Sequence, residues 1–483
     1  MRTSIFCWLL LISFLTKAQT SSLLPKGLKK EIIQDLEIQT NQYNVAAKQI
    51  WNYAEVGYKE EKSAAILIAL LKQNGFKIEQ GVAGIPTAFV ASYGQDKPTI
   101  AILAEYDALP GLSQDTLPTK KVLTGKDAGH GCGHNLFGVA STAAAIAIKK
   151  QLETGQLKGS IKLFGCPAEE GGSGKVYMVR AGLFNTVDVA LHWHPGDQNA
   201  VRLGSSLANI SAKFRFSGIS AHAAAAPERG RSSLDGVEAM DMMVNMMREH
   251  IPSSTRIHYI ITNGGKAPNV VPDFSEVYYY VRDKDREVVR SVFDRVINAA
   301  QGAALGTGTQ MEYEVLGGVY NLLPNKTLAK TMFQNLQLVG GVAYTAADKL
   351  FAQQLQQTLG DNLPKIEQSA QITEFSPSID LIGSASTDVA DVSWAVPTVG
   401  LSAATWVPGT PAHSWQAVAA SGMDIGLKGM MVAAKTIALT AVDLYKDKTI
   451  IQEAKAEFEK VKGPGFQYKP LLGDRKPALN YRD

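Results

Sequence analysis

Between about residues 28 and 207, short apolar runs alternate with stretches of helical periodicity. Ala64 to Leu71 and Leu136 to Leu152 have the texture of helices, whereas Thr99 to Ala104, Ile161 to Cys166 and Val187 to Leu191 are apolar runs of strand length. Strands separated by helices at this spacing predict βαβ units and a mixed, largely parallel sheet covered by helices, an α/β fold. From Ala208 the texture changes: Ile210, Ala212, Phe214 and Phe216 alternate with Ser211, Lys213, Arg215 and Ser217, a half-buried strand of period two. Leu234, Val237, Met240, Val244 and Met247 then recur at helical spacing, and strands follow at Arg256 to Ile261 and Val277 to Val281. A second helix carries Val288, Val292, Phe293, Val296 and Ile297, before Met311, Tyr313 and Val315 alternate again. The order β-α-β-β-α-β is the ferredoxin-like split motif. After Pro324 the helix-and-strand texture returns and closes on an apolar helix from Ile425 to Leu444.

The expected architecture is therefore one α/β catalytic domain in two segments, 28–207 and 318–447, interrupted by a ferredoxin-like α+β insert at 208–317. Residues 361–385 have weak periodicity and read as loop. Residues 448–483 read as a C-terminal tail, extended from Gly463 onward, where Pro464, Gly465, Pro470 and Pro477 exclude a helix. The methionine cluster from Met240 to Met247 reads as packed core or dimer contact rather than as an adaptable binding face.

Composition changes this picture little. At 483 residues the chain is too long for one compact core, and 45% apolar with 19% charged residues is an ordinary globular balance. A net charge of +3, with no basic stripe interleaved with aromatics, argues against nucleic acid as a partner. The first eighteen residues carry Arg2, an apolar run from Ile5 to Leu15, and small Thr16 and Ala18 before Gln19, the pattern of a signal peptide. That run is shorter than the roughly 20 residues a bilayer span needs, and no later segment reads as a membrane span. An exported protein, periplasmic or secreted, is the expectation. Cys7 lies in the apolar run; an oxidising compartment would permit Cys132 and Cys166 a disulfide, with a metal-bound thiolate as the competing role for Cys132.

Candidate chemistry is concentrated in a few segments. Gly129-His130-Gly131-Cys132-Gly133-His134-Asn135 precedes an apolar helix, and thiolate and imidazole are the side chains best suited to zinc. Cys166-Pro167-Ala168-Glu169-Glu170-Gly171-Gly172 follows an apolar strand, at the edge where open α/β sheets place their sites. Of two adjacent carboxylates there, one can bind metal while the other takes a proton from water. The neighbouring Gly174-Lys175 fails as a phosphate loop, because Glu169 stands where that pattern needs Gly and Val176 where it needs Ser or Thr. His192 and His194, two apart on a strand, face the same side, so either is a candidate ligand.

His222 lies in Ser220-Ala221-His222-Ala223-Ala224, after the first strand of the insert, and is a candidate oxyanion donor or a plain surface residue. His413 sits in a late Pro/Gly-rich loop, Gly409 to Trp415. Asp107, ending a buried strand, is of the kind that orients a ligating imidazole. Asp388, in Ser386-Thr387-Asp388, and Asp391 suit a capping role as well as a site, and His250 and His258 read as structural.

Together these segments resemble the dizinc aminoacylase and carboxypeptidase family of peptidase-like amidohydrolases, and within it the aminobenzoyl-glutamate hydrolase type. The motifs are GHGCGHN at 129–135, GCPAEEGGSGK at 165–175, WHP at 193–195, SAHAA at 220–224, STDVADVSW at 386–394 and GTPAHSW at 409–415, so the likeness runs from about Glu105 to Leu444. The resemblance implies hydrolysis of a small N-acyl amino acid or dipeptide-like amide, with two divalent metal ions, zinc first and manganese or cobalt as alternatives. It implies Cys132, His134, Glu170, His413 and a histidine of the 192–194 segment as metal ligands, and Glu169 as general base. It also implies a homodimer through the insert, His222 reaching the partner's site, and Asn269 and Arg231 gripping the substrate. Broader relatives place the strand histidine where His192 stands and the aminobenzoyl-glutamate type where His194 stands; His194 is favoured, with His192 as the alternative. The competing expectation is a family member that binds metal without hydrolysis and serves as a binding or scaffold protein.

Overall fold

The computed structural model describes residues 25–376, 381–382 and 385–482, so the expected signal peptide lies outside the described residues. A six-stranded sheet runs in the order Lys77–Gln80, Phe89–Tyr93, Ser160–Gly165, Thr99–Ala104, Val189–Gly196, Thr398–Ala404. The first two strands pair antiparallel and the last four run parallel, the mixed, largely parallel sheet that the buried apolar runs predicted. Helix His134–Glu153 is buried from His134 to Lys149 and packs on this sheet and on helix Asp424–Lys446. Its run of small residues, Ala143, Ala144, Ala145 and Ala147, lets the two helices approach closely.

Asp424–Lys446 corrects one reading of the sequence. By length and hydropathy it could cross a membrane, yet 83% of its apolar window is buried inside the protein. It is a core helix, wedged between helices His134–Glu153 and Lys326–Val339 and the sheet.

The inserted segment forms a separate antiparallel sheet in the order Gln310–Val319, Ala208–Ser217, Phe274–Asp283, Arg256–Asn263. Helices Ser233–Met247 and Arg286–Thr307 pack on it, each started by a side-chain cap: Ser232 accepts from Asp235 N and Asp285 from Glu287 N. Their apolar faces, with Val237, Met240, Val244, Val289, Val292 and Phe293, meet Phe214, Phe216 and Tyr279 in a core of their own. The methionine cluster divides here: Met240 and Met247 are buried, whereas Met242, Met243 and Met246 are exposed.

The region after Tyr445 is only partly a tail. Lys448–Lys462 is a helix capped by Asp447, with Ile451, Ala454 and Phe458 buried against the body, and Asn325 Nδ2 donates to Ala454 O at 2.8 Å. From Gly463 the chain is extended and turning, as its prolines require. Within the expected loop at 361–385, Ile366–Ala370 is a 3₁₀ turn and Leu381–Ile382 pairs with Gly204–Ser205; residues 377–380 and 383–384 lie outside the described residues.

Candidate metal centre and active site

Four parallel strands pointing one way bring their C-terminal ends to one edge of the sheet. Glu105 and Asp107 follow Thr99–Ala104, Glu169 and Glu170 follow Ser160–Gly165, His194 lies near the end of Val189–Gly196, and the His413 loop follows Thr398–Ala404. Backbone strain marks this edge. Ala168, Ser173 and His413 have φ of 56°, 58° and 57°, in the left-handed region where a residue other than glycine costs about 1–3 kcal/mol. Gly133 has φ 73°, and a Cβ there would stand 2.8 Å from Pro195. His413 N donates to Gly131 O at 2.9 Å, so the two loops that carry Cys132 and His413 are fastened backbone to backbone.

Cys132 is common to two groups of potential ligands. In one, its sulfur and the ligand atoms of His134 and His194 all lie within 4.8 Å of one another; in the other, its partners are Glu170 and His413. His194 Nδ1 lies 2.7 Å from Pro195 O, and because a carbonyl only accepts, the proton sits on Nδ1 and the bare Nε2 faces Cys132 Sγ at 3.3 Å. His134 Nδ1 lies 2.9 Å from Asp107 Oδ1, whose Oδ2 accepts from Glu170 N at 2.9 Å. Asp107 thereby ties an imidazole to the backbone of a carboxylate residue. His413 Nε2 stands 3.2 Å from Glu170 Oε1.

His192 is elsewhere. Its ring lies beneath Gly400, where a Cβ would be 2.3 Å away, and it belongs to neither group. His130 is buried with Nε2 3.1 Å from Ile50 O, a packing role for the first histidine of its motif. Cys132 and Cys166 are both free thiols, so the permitted disulfide is absent, and Cys166 donates to Phe164 O.

The donor chemistry fits divalent cations. Burial, then Glu170, push the Cys132 thiol well above its ordinary range, so that a thiolate there calls for an added positive charge. Burial pushes His194 down to about 4 and keeps it neutral, the form that ligates. Glu169 is raised well above the usual carboxylate range by burial, then by Glu105, Glu170 and Asp388. Thiol, imidazole and carboxylate together suit zinc and the metals near it.

Several residues that the sequence did not single out take part. Glu105 presents Oε2 to His134 Nε2 at 3.1 Å and Oε1 to Lys175 Nζ at 2.7 Å. Lys175 is 0% exposed and also meets Asp388 at 2.6 Å, so Glu105 and Asp388 are joined by one buried ammonium. Asp391, by contrast, accepts from Tyr320 N and Tyr468 OH and has a structural role. A cavity of about 390 Å³ opens on Glu169, Glu170 and His413 and is also lined by Tyr280 and Arg282 of the inserted sheet and by Arg482. Glu105 could have been found two residues before Asp107, at the end of the same buried strand. Nothing local marks Arg482.

His222, Asn269 and Arg231 do not line this cavity. They share one loop cluster of the insert: His222 bridges Val270, Ala223 N donates to Asn269 O at 3.0 Å, and Arg231 bridges Ile219. His222 is exposed, and its Nδ1 accepts from Ala224 N and Ala225 N, which leaves Nε2–H pointing outward as a donor.

The family profile described as Peptidase family M20/M25/M40 matches residues 101–438. The chain belongs to this M20 family. Among M20 relatives, one of the two named subunits of the p-aminobenzoyl-glutamate hydrolase of Escherichia coli is 42% identical over 452 residues, covering 88% of this chain and 94% of that one. The mouse Xaa-Arg dipeptidase is 28% identical over 447 residues, 89% of this chain and 92% of its own. The Bacillus subtilis YXEP protein, described as a dinuclear metal binding M20 peptidase, shares the fold at a TM-score of 0.56 and 17% identity, over 85% of this chain and 99% of that one. The enzyme is thus an M20 hydrolase with a mixed α/β body and an inserted lid.

Proposed function

We propose that the protein hydrolyses the amide bond of a small N-acyl amino acid or dipeptide-like substrate, with p-aminobenzoyl-glutamate as the first compound to try. The observation that carries this reading is the sharing of Cys132 between two ligand groups beside the half-buried Glu169. In it, Cys132, His134, Glu170, His194 and His413 hold two divalent ions, zinc first, with Asp107 orienting His134. When bound, such ions act as Lewis acids that lower the pKa of water toward about 7. Glu169 accepts a proton from the attacking water and returns it to the departing amine, which its raised affinity for protons favours. His222 supplies an N–H to the developing oxyanion, and Asn269 and Arg231 hold the substrate, all three in the site of a second copy.

A homodimer through the insert follows from that last point. The E. coli hydrolase is named by two kinds of subunit, both similar to this chain, so a complex of unlike chains is the competing assembly. The signal-peptide pattern of residues 1–18 supports action outside the cytoplasm. The test is metal analysis of the pure protein, then amine release from a panel of N-acyl amino acids and dipeptides with and without chelator. Release that chelator abolishes is the expected result; bound metal with no release from any member would support the scaffold instead.

A further inference from the structure

The extended segment after the helix Lys448–Lys462 does not trail into solvent. Leu471 and Leu472 are buried, Arg475 bonds Leu316 O at 2.6 Å and Glu314 Oε1 at 3.1 Å on the inserted sheet, and Arg180 holds Gly473 O at 2.8 Å. The segment then turns into the active-site edge. Tyr481 stacks edge-on against Tyr58 at 5.5 Å and donates to Glu170 O at 3.0 Å, filling the space that Gly57 leaves open. Arg482 donates through Nη2 to the same carbonyl and lies 4.7 Å over the Tyr481 ring.

Among the described residues, that carbonyl is the guanidinium's one hydrogen-bond acceptor. Its Nε is buried with no partner, and among the described residues it forms no ion pair. Arg282, which lines the same cavity, is in the same condition: among the described residues its Nε is buried and unbonded, and it rests 5.0 Å over Tyr280. Two half-buried guanidinium groups therefore face one cavity with donors to spare. A buried donor without a partner is costly, and a carboxylate is the group whose geometry satisfies a guanidinium fork. A ligand with one carboxylate can satisfy one of the two; a ligand with two can satisfy both.

We propose that Arg482 is a specificity-determining residue that, with Arg282, selects substrates whose amino-acid part is a dicarboxylate. This rests on the amidohydrolase reading above. The test compares wild type, Arg482→Met and Arg482→Lys on a pair of substrates sharing one acyl group, the N-acyl glutamate and its neutral N-acyl glutamine counterpart. A charged hydrogen bond is worth about 1.5–3 kcal/mol, so Arg482→Met should raise KM for the glutamate substrate about 10- to 100-fold. Its kcat should change little, the glutamine substrate should be almost unaffected, and Arg482→Lys should recover part of the loss. Equal losses on both substrates, or a wild type indifferent to the second carboxylate, would overturn the proposal. If wild type cleaves neither compound, the hydrolase reading is judged on the wider panel and the role of Arg482 on binding. Calorimetric titration with L-glutamate and L-glutamine then decides the role of Arg482: binding selective for glutamate that Arg482→Met removes upholds it, and equal or absent binding rejects it.

Discussion

Glu169 and Glu170 are adjacent, yet their surroundings pull them apart. Burial acts on both, but His413 and His134 draw Glu170 below its ordinary range, while Glu105, Glu170 and Asp388 reinforce burial at Glu169. One is thereby suited to hold a cation and the other a proton. Glu169→Gln should keep the metal content of wild type and lose about 100-fold or more in turnover; near-normal turnover would remove Glu169 from the mechanism. Lys175 supports a second expectation. It is the cation between Glu105 and Asp388, and removing one partner of a buried charged group costs about 3–5 kcal/mol. Lys175→Met should therefore lower thermal stability severely, and a melting temperature equal to that of wild type would show the triad to be dispensable. The residue types at the centre were legible because thiol, imidazole and paired carboxylates advertise their chemistry. Spacing alone left His192 and His194 equivalent; what separates them is that the former packs under Gly400 and the latter meets Cys132, a fact of the neighbouring strand. Lys175 stood in a Gly-rich stretch tested only as a phosphate loop, and its partners Glu105 and Asp388 come from distant segments.

At the scale of elements, periodicity gave three central strands of the catalytic sheet and the β-α-β-β-α-β order of the insert, but not the strands Lys77–Gln80, Phe89–Tyr93 and Thr398–Ala404. It missed Lys448–Lys462 because a narrow stripe of Ile451, Ala454 and Phe458 is diluted by charge on every other face. One contact inside the insert predicts a pH dependence. Asp241, on helix Ser233–Met247, accepts from Tyr279 of the strand Phe274–Asp283 and is pushed up to about 6 by burial, with Glu238 adding to the rise against the Tyr279 hydrogen bond. The folded protein then keeps this proton to a higher pH than the unfolded chain, whose carboxyl titrates near the ordinary value of about 4. The stability that the protonated form contributes is complete below about pH 4 and is lost as pH rises through about 6. Asp241→Asn is neutral throughout, so the melting temperature of wild type relative to this variant should fall by about 1–3 °C between pH 4 and 7. A difference that stays flat, or that grows in favour of wild type, would show that Asp241 is ionised in the fold.

At the scale of the whole molecule, the insert exposes apolar surface that its own core does not use. Met242 and Met246 are 58% and 65% exposed on one helix, and Ile260 is 63% exposed on Arg256–Asn263, the edge strand of its sheet. The helix and the strand are neighbours, joined by Asn245 Nδ2 to Tyr259 OH and by Arg248 Nη1 to Ile257 O. An unpaired strand edge beside exposed methionines is a surface that a second copy can cover with the same surface in return. Under the proposed function, His222, with its outward Nε2–H and no place in its own cavity, would give that assembly a catalytic consequence. Met246→Glu with Ile260→Glu should yield monomers in sedimentation that retain metal and fold, yet lose about 100-fold in turnover, the usual cost of an oxyanion donor. A mixing experiment separates this from a general loss of stability. Glu169→Gln and His222→Ala should each be nearly inactive alone. In a re-equilibrated equal mixture, half the dimers pair one of each, and each such dimer has one site with Glu169 from one chain and His222 from the other, so about a quarter of wild-type activity should return. Mixed dimers that form without any recovery would place His222 outside the partner's chemistry.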